Sequence, residues 1–103
     1  MLTQETISRI KESILLSSDV EKIILFGSQA RDQSDLRSDV DLLIISRNVN
    51  DRVKMMRELR RRLLGIEYAF DVIVISTEEF ERDCKIPGTI SRYASVEGKV
   101  LYE

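Results

Sequence analysis

The chain reads as an α/β sandwich, a small mixed β-sheet flanked by helices. Three observations predict it. Short apolar runs (KIILF at 22–26, VDLLII at 40–45, AFDVIVI at 69–75) alternate with stretches whose apolar residues recur at helical spacing. Turn-forming residues separate the runs. At 103 residues and 43% hydrophobic, the chain suits one domain spanning residues 1–103 with a buried core.

Thr3 is placed to cap a first helix, with Ile7, Ile10 and Ile14 on one face and an end near Ser17-Ser18. Lys22–Phe26 follows as a strand. Gly27-Ser28 turns it, and a short helix is expected from Gln29 to about Asp35. Val40–Ile45 is the second strand, with Asp39 at its mouth. Asn50 is read as the N-cap of the next helix, whose stripe is Val53, Met56, Leu59 and Leu63, and Gly65 as its stop. Ala69–Ile75 is the third strand. Ser76 and Glu79 form a capping box for a short helix carrying Phe80. After Pro87-Gly88, a helix over 90–96 and a terminal strand over 99–102 complete the order. The expected arrangement puts the helices on one face of the sheet and the functional site on the other.

Composition narrows the chemistry. Sixteen basic and eighteen acidic residues leave a net charge of −2, so no overall field favours nucleic acid or an anionic membrane, and direct nucleic-acid binding is not expected. No run approaches the roughly 18 apolar residues of a membrane span, and Met1-Leu2-Thr3-Gln4 does not open a signal peptide, so a cytoplasmic location is expected. Cys84 is the sole cysteine and there is no histidine. That removes intrachain disulfides, thiolate metal clusters, nearly every zinc site and His-dependent nucleophiles. Chemistry must rest on carboxylates, hydroxyls, Arg and Lys, with a hard metal where one is needed.

The carboxylates are where the apolar pattern breaks. Side chains alternate along a strand, so Asp39 and Asp41 point to one face, about 6.5–7 Å apart along it, with Leu43 and Ile45 continuing that face. Asp71 interrupts the third strand in the same way, ahead of Ile73 and Ile75. If the two strands are neighbours, three carboxylates converge, and close anions cannot all stay ionised without cations. An oxygen-only set selects Mg²⁺, Mn²⁺ or Ca²⁺. Taken singly, an Asp-x-Asp also fits a turn or a solvated strand end, and Asp71 a salt bridge to an arginine. An EF-hand is excluded because Leu42-Leu43 stand where the calcium loop needs oxygen ligands. Gly27 can take positive φ and admit a phosphate to the backbone, and Ser28 adds an amide and a hydroxyl. Neither G-x-x-x-x-G-K-[ST] nor G-x-G-x-x-G is present.

The stretch GSQARDQSDLRSDVDLLII resembles the signature of the DNA polymerase beta-like nucleotidyltransferase superfamily, in its minimal (MNT) branch: Gly-Ser, about ten residues, Asp-x-Asp on a strand, then a later Asp. Gly27-Ser28, Asp39-x-Asp41 and Asp71 match it, and the tail SRYASVEGKVLYE is similar to MNT endings. Asp32 departs from it, standing where many relatives have Gly. The resemblance implies the fold of that superfamily and an Mg-dependent transfer of a nucleoside monophosphate, AMP from ATP, to a hydroxyl. Gly27 and Ser28 would hold the terminal phosphates; Arg31, within the motif, reads either as reaching a phosphate or as an ion pair to Asp35 or Asp32. Asp39 and Asp41 would bind two Mg²⁺ ions (Mn²⁺ is an alternative), and Asp71 would complete the metal site and help deprotonate the acceptor. MNT proteins resemble antitoxins paired with a HEPN-domain partner, so such a protein is the implied acceptor. The rival reading is a binding module that neutralises its partner by contact. Transfer to a small molecule is disfavoured, since no second domain exists to bind it. The basic residues of the third helix, Arg52 to Arg62, read as a solvated face or as a docking surface for an acidic partner or RNA tail. Tyr68, Tyr93 and Tyr102 read as core-edge or interface residues.

Overall fold

The computed structural model describes residues 2–17, 19–27, 30 and 39–103. The expected helix over 29–35, with Ser28, Arg31 and Asp32, lies outside the described residues. Within them the order is α1 (Gln4–Ile14), β1 (Val20–Phe26), β2 (Val40–Ser46), α2 (Arg52–Arg62), β3 (Phe70–Ser76), α3 (Thr77–Asp83), α4 (Ile90–Glu97) and β4 (Lys99–Tyr102). The four strands form one mixed sheet in the order β3-β2-β1-β4. β1 runs antiparallel to both β2 and β4, while β2 and β3 are parallel. The parallel pair needs a crossover, and α2 supplies it.

Two cores flank the sheet. Ile10 and Ile14 of α1 and Leu59 and Leu63 of α2 pack on Ile23, Leu25, Leu42, Ile44, Val72 and Val74. The opposite face carries Ile24, Phe26, Leu43, Ile45 and Ile75, covered by Ala94 and Ile90 of α4 and Phe80 of α3. This corrects the expectation of helices on one face. Leu43 and Ile45 continue the carboxylate face and are too apolar to be left to water, so two helices cover their half of it.

Local chemistry explains the element ends. The Thr3 hydroxyl accepts from the Thr6 amide at 3.1 Å. Ser76 and Glu79 make the predicted reciprocal box. The α2 cap is Asp51 rather than Asn50, its carboxylate accepting from the Lys54 amide at 3.1 Å; an ionised cap also suits the positive end of a helix. Val53 is 65% exposed, so it does not belong to the stripe. Met55, Met56, Leu59 and Leu63 make it instead, and at 100° per residue their centre lies roughly a hundred degrees round the helix from Val53. Leu63 is the C-cap of α2, and Gly65 is not the left-handed residue that stops it. Gly98 is set by close approach: a Cβ there would overlap the Ala94 carbonyl and Ile24, and this is what lets β4 lie beside β1.

Burial raises the Glu79 carboxyl, but hydrogen bonds from Arg52 and from the amide and hydroxyl of Ser76 outweigh it and hold the group below its ordinary value. None of the described residues forms a helix long and apolar enough to cross a membrane.

Candidate active site

Strand register assembles the site. Phe26 at the end of β1 pairs with Asp41 at the start of β2, and Asp41 pairs with Asp71 at the start of β3. Cross-strand partners share a face, so Phe26, Asp41 and Asp71 form a row across three strands at one end of the sheet. Asp41 and Asp71 are separated by about the interstrand spacing, roughly 4.8 Å. The condition left open by the sequence, that β2 and β3 be neighbours, is met. Asp39 sits one residue before β2 and is exposed. Asp41 is half-buried, and the Asp71 side chain is 54% exposed.

Gly27 closes the row on the β1 side. Its φ is +76°, a value that costs other L-residues about 1–2 kcal/mol, and its carbonyl accepts the Ala30 amide at 3.2 Å. A Cβ on Gly27 would overlap the Asp41 carboxylate. Glycine is therefore required twice, for the turn and for the room Asp41 occupies. The sequence showed the first requirement; the second depends on register and could not be read from it.

Asp71 has a cation beside it. Arg60 lies on α2, which packs on the opposite face, yet β3 is an edge strand. Arg60 Nη2 stands 3.6 Å from Asp71 Oδ1, with both side chains about half exposed. The salt-bridge alternative for Asp71 is thus present, and its partner is one of the α2 basic residues that read from the sequence as a solvated or docking face. Two further basic residues of α2 are engaged inside the fold. Arg52 pairs with Glu79, and Arg62 donates to the Ser17 hydroxyl at 2.7 Å.

Among the described residues, no group of three or more carboxylate or thiol ligands stands close enough to hold a metal ion as it is. The donor set nonetheless fits a hard divalent cation. Asp41 and Asp71 face the same way in direct register, and Asp39 is at the mouth of the same strand. Their oxygens are the type Mg²⁺ and Mn²⁺ prefer, and such ions keep some of their ligands from substrate phosphates and water. Ser28 and Arg31 lie outside the described residues.

Beyond Asp41 the row opens into a cleft of about 1030 Å³. Phe26, Gly27 and Asp41 line one side; the loop from Pro87 and α4 line the other, with Ile90, Arg92 and Tyr93. The Tyr93 ring meets Phe26 edge-on, with centroids 6.1 Å apart at 75°. Sequence reasoning placed Tyr93 at a core edge and gave no role to Arg92. The one signal for Tyr93 was its spacing from Ile90, which sets residues 93 and 94 on the same side of a helix; Arg92 carried none.

The sequence profile described as "Polymerase beta, Nucleotidyltransferase" matches residues 8–103. A candidate protein adenylyltransferase from Methanocaldococcus jannaschii is 37% identical over 83 residues, 81% of this chain and 79% of that protein. Among solved structures, a toxin-antitoxin with AMP-PNP superposes with a TM-score of 0.67 at 18% identity, over 98% of this chain and 73% of that one. A candidate nucleotidyltransferase from Sulfolobus solfataricus gives 0.57 at 26% identity, over 74% and 69%. A tri-AMPylated Shewanella oneidensis HEPN toxin in complex with its MNT antitoxin gives 0.66 at 17% identity, over 98% and 72%.

Proposed function

The chain belongs to the polymerase beta nucleotidyltransferase family, and we propose that it transfers AMP from ATP to a hydroxyl on a HEPN-type partner protein, as the antitoxin of a toxin-antitoxin pair. The observation that carries the proposal is the Phe26–Asp41–Asp71 row with Gly27 packed against Asp41. A structural salt-bridge cluster has no need of a positive-φ glycine kept clear beside an acidic pair.

Asp39, Asp41 and Asp71 are the residues that would hold Mg²⁺ or Mn²⁺. Such ions neutralise the triphosphate and sharpen the acceptor hydroxyl as a nucleophile. The rest belongs to the protein. The Gly27 turn leaves its backbone open to the terminal phosphates, with Ser28 assigned to the same end by the family motif and Arg31, four residues after Gly27, as a further phosphate contact. Asp71, at the exposed edge, accepts the proton of the incoming hydroxyl. The hydroxyl oxygen bonds to the α-phosphorus, the bond from that phosphorus to its bridging oxygen breaks, and pyrophosphate leaves with the electron pair. Positioning and charge neutralisation suffice for this chemistry, so a chain without histidine can carry it.

The acceptor is drawn from the relatives: the name of the M. jannaschii protein and the tri-AMPylated HEPN toxin beside its MNT antitoxin both point to protein adenylylation. A second reading, a contact antitoxin with an idle site, draws on the Arg60–Asp71 pair, which occupies a carboxylate that catalysis needs. Label position separates the two. With Mg²⁺ and a HEPN-type partner, [α-³²P]ATP is expected to label the partner and [γ-³²P]ATP is not. Labelling by neither, with the complex intact, would favour the contact reading.

A further inference from the structure

The outward side of α2 carries charge that neither the fold nor the proposed chemistry uses, and Arg57 stands at its centre. Residues three and four apart are neighbours on a helix, and those around Arg57 are Val53, Lys54, Arg60 and Arg61. Three are cations and none is a carboxylate. Glu58, the one acidic residue of α2, lies about 100° round the helix from Arg57. Among the described residues, no carboxylate pairs with Lys54, Arg57 or Arg61. We propose that this side of α2 docks an acidic segment of the acceptor protein and so brings its hydroxyl to Asp71. The proposal rests on the reading of a protein acceptor above.

Charge is the first support. Like charges at these spacings repel, so glutamates among the arginines would serve the helix better than more arginines do. An acidic partner supplies the missing complement, and clusters of arginine are a recurring way to recognise acidic segments. Position is the second. α2 lies along the edge strand β3, from Arg52 at Glu79 to Arg60 at Asp71. Arg60 already bridges this side of the helix to Asp71, at 3.6 Å, and Arg57 is about one turn away. A segment held at Arg57 is therefore beside the carboxylate that receives the acceptor's proton. Val53 is the third. It is 65% exposed and lies one turn before Arg57, so the surface suits a chain carrying apolar side chains among its carboxylates. α2 has no aromatic residue on which a base could stack, which favours a protein over an RNA strand.

The test reads two quantities: the calorimetric affinity of the HEPN-type partner, and its KM in transfer from [α-³²P]ATP. Arg57→Glu and Arg57→Glu/Arg61→Glu reverse charge at exposed positions, where a glutamate among arginines leaves the helix intact. Each is expected to weaken the complex roughly tenfold or more and to raise the partner's KM in step, with kcat within about threefold. Mg-ATP affinity should be unchanged, which also reports that the variants are folded. Lys85→Glu makes the same charge change on another exposed surface and should leave the complex as it is. Wild-type partner affinity in Arg57→Glu, or an equal loss in Lys85→Glu, overturns the docking surface. So does an Arg57→Glu variant that loses binding to an oligouridine RNA while its partner complex is unchanged. A complex that depends on Arg57 but transfers no label overturns the transfer reading and leaves the surface standing. A wild-type chain that forms no complex overturns both.

Discussion

Two ends of one sheet face behave in opposite ways. At the closed end, Leu43, Ile45 and Ile75 lie under Phe80, Ile90 and Ala94, and Leu43 is completely buried. Two residues along the same strands, Asp41 and Asp71 replace that packing with carboxylates, one half-buried and the other half-exposed. Strand alternation is identical at both ends; what differs is whether a helix covers the face. α4 reaches the row at Phe26, through Tyr93, but Asp41 and Asp71 stay partly exposed, and that uncovered width is what a ligand can enter. The closed end should therefore govern stability, and the open end binding.

The largest expected effect lies at the closed end. Leu43→Ala should cost about 2–5 kcal/mol in denaturant unfolding, since the surrounding sheet and helices can collapse only partly into the void. At roughly 4–8 °C per kcal/mol for a domain of this size, its melting temperature should fall by about 10 °C or more. A loss under 1 kcal/mol would mean that this core is loosely packed, and the contrast between the ends would weaken.

Gly27→Ala comes next. Backbone strain predicts a loss of about 1–2 kcal/mol, and the added methyl must displace the Asp41 carboxylate. Mg-ATP affinity should thus fall by more than the stability change alone would produce. Wild-type affinity in a destabilised variant would show that the Gly27–Asp41 packing is structural only.

Arg60→Ala should change stability by less than about 1 kcal/mol, because an ion pair with both partners about half exposed is worth little. Its informative readout is Mn²⁺ binding to the unliganded chain, followed by electron paramagnetic resonance. Removing the competing guanidinium should raise affinity severalfold. An unchanged or weaker affinity would mean that Arg60 does not compete for Asp71.

The smallest effect is pH-linked and far from the site. Hydrogen bonds from Arg52 and Ser76 hold the folded-state pKa of Glu79 below its ordinary value of 4.5. A lowered carboxyl stabilises above the unfolded value and loses that contribution as pH falls through the folded one. The stability gap between wild type and Glu79→Gln should be full near neutrality and close in acid. A gap independent of pH would assign it to neutral hydrogen bonding.

How much of this was written in the sequence varies with the range of the interaction. Local signals were legible: the Thr3 cap, the Ser76–Glu79 box, the alternation that puts Asp41 and Leu43 on one face, and the interruption of β3 by Asp71. These depend on residues within a turn or two. Strand order, the contact between Gly27 and Asp41, the reach of Arg60 around an edge strand and the α4 wall depend on pairings of distant residues, which no local spacing encodes. Asn50 and Asp51 are both competent caps. The structure uses Asp51, whose carboxylate accepts the Lys54 amide. The coverage of both faces followed from the closed end itself: the apolar residues beside the carboxylates were visible, but which helices would cover them was not.

The central claim is that the open acidic row exists to bind a metal-complexed triphosphate. It is tested most directly by titrating Mg-ATP into the wild-type chain and into Asp41→Asn, with unliganded melting temperatures measured alongside. The account predicts Mg-dependent binding by wild type and at least a tenfold loss in Asp41→Asn without a matching loss of stability. Equal Mg-ATP affinity in the two proteins would contradict it.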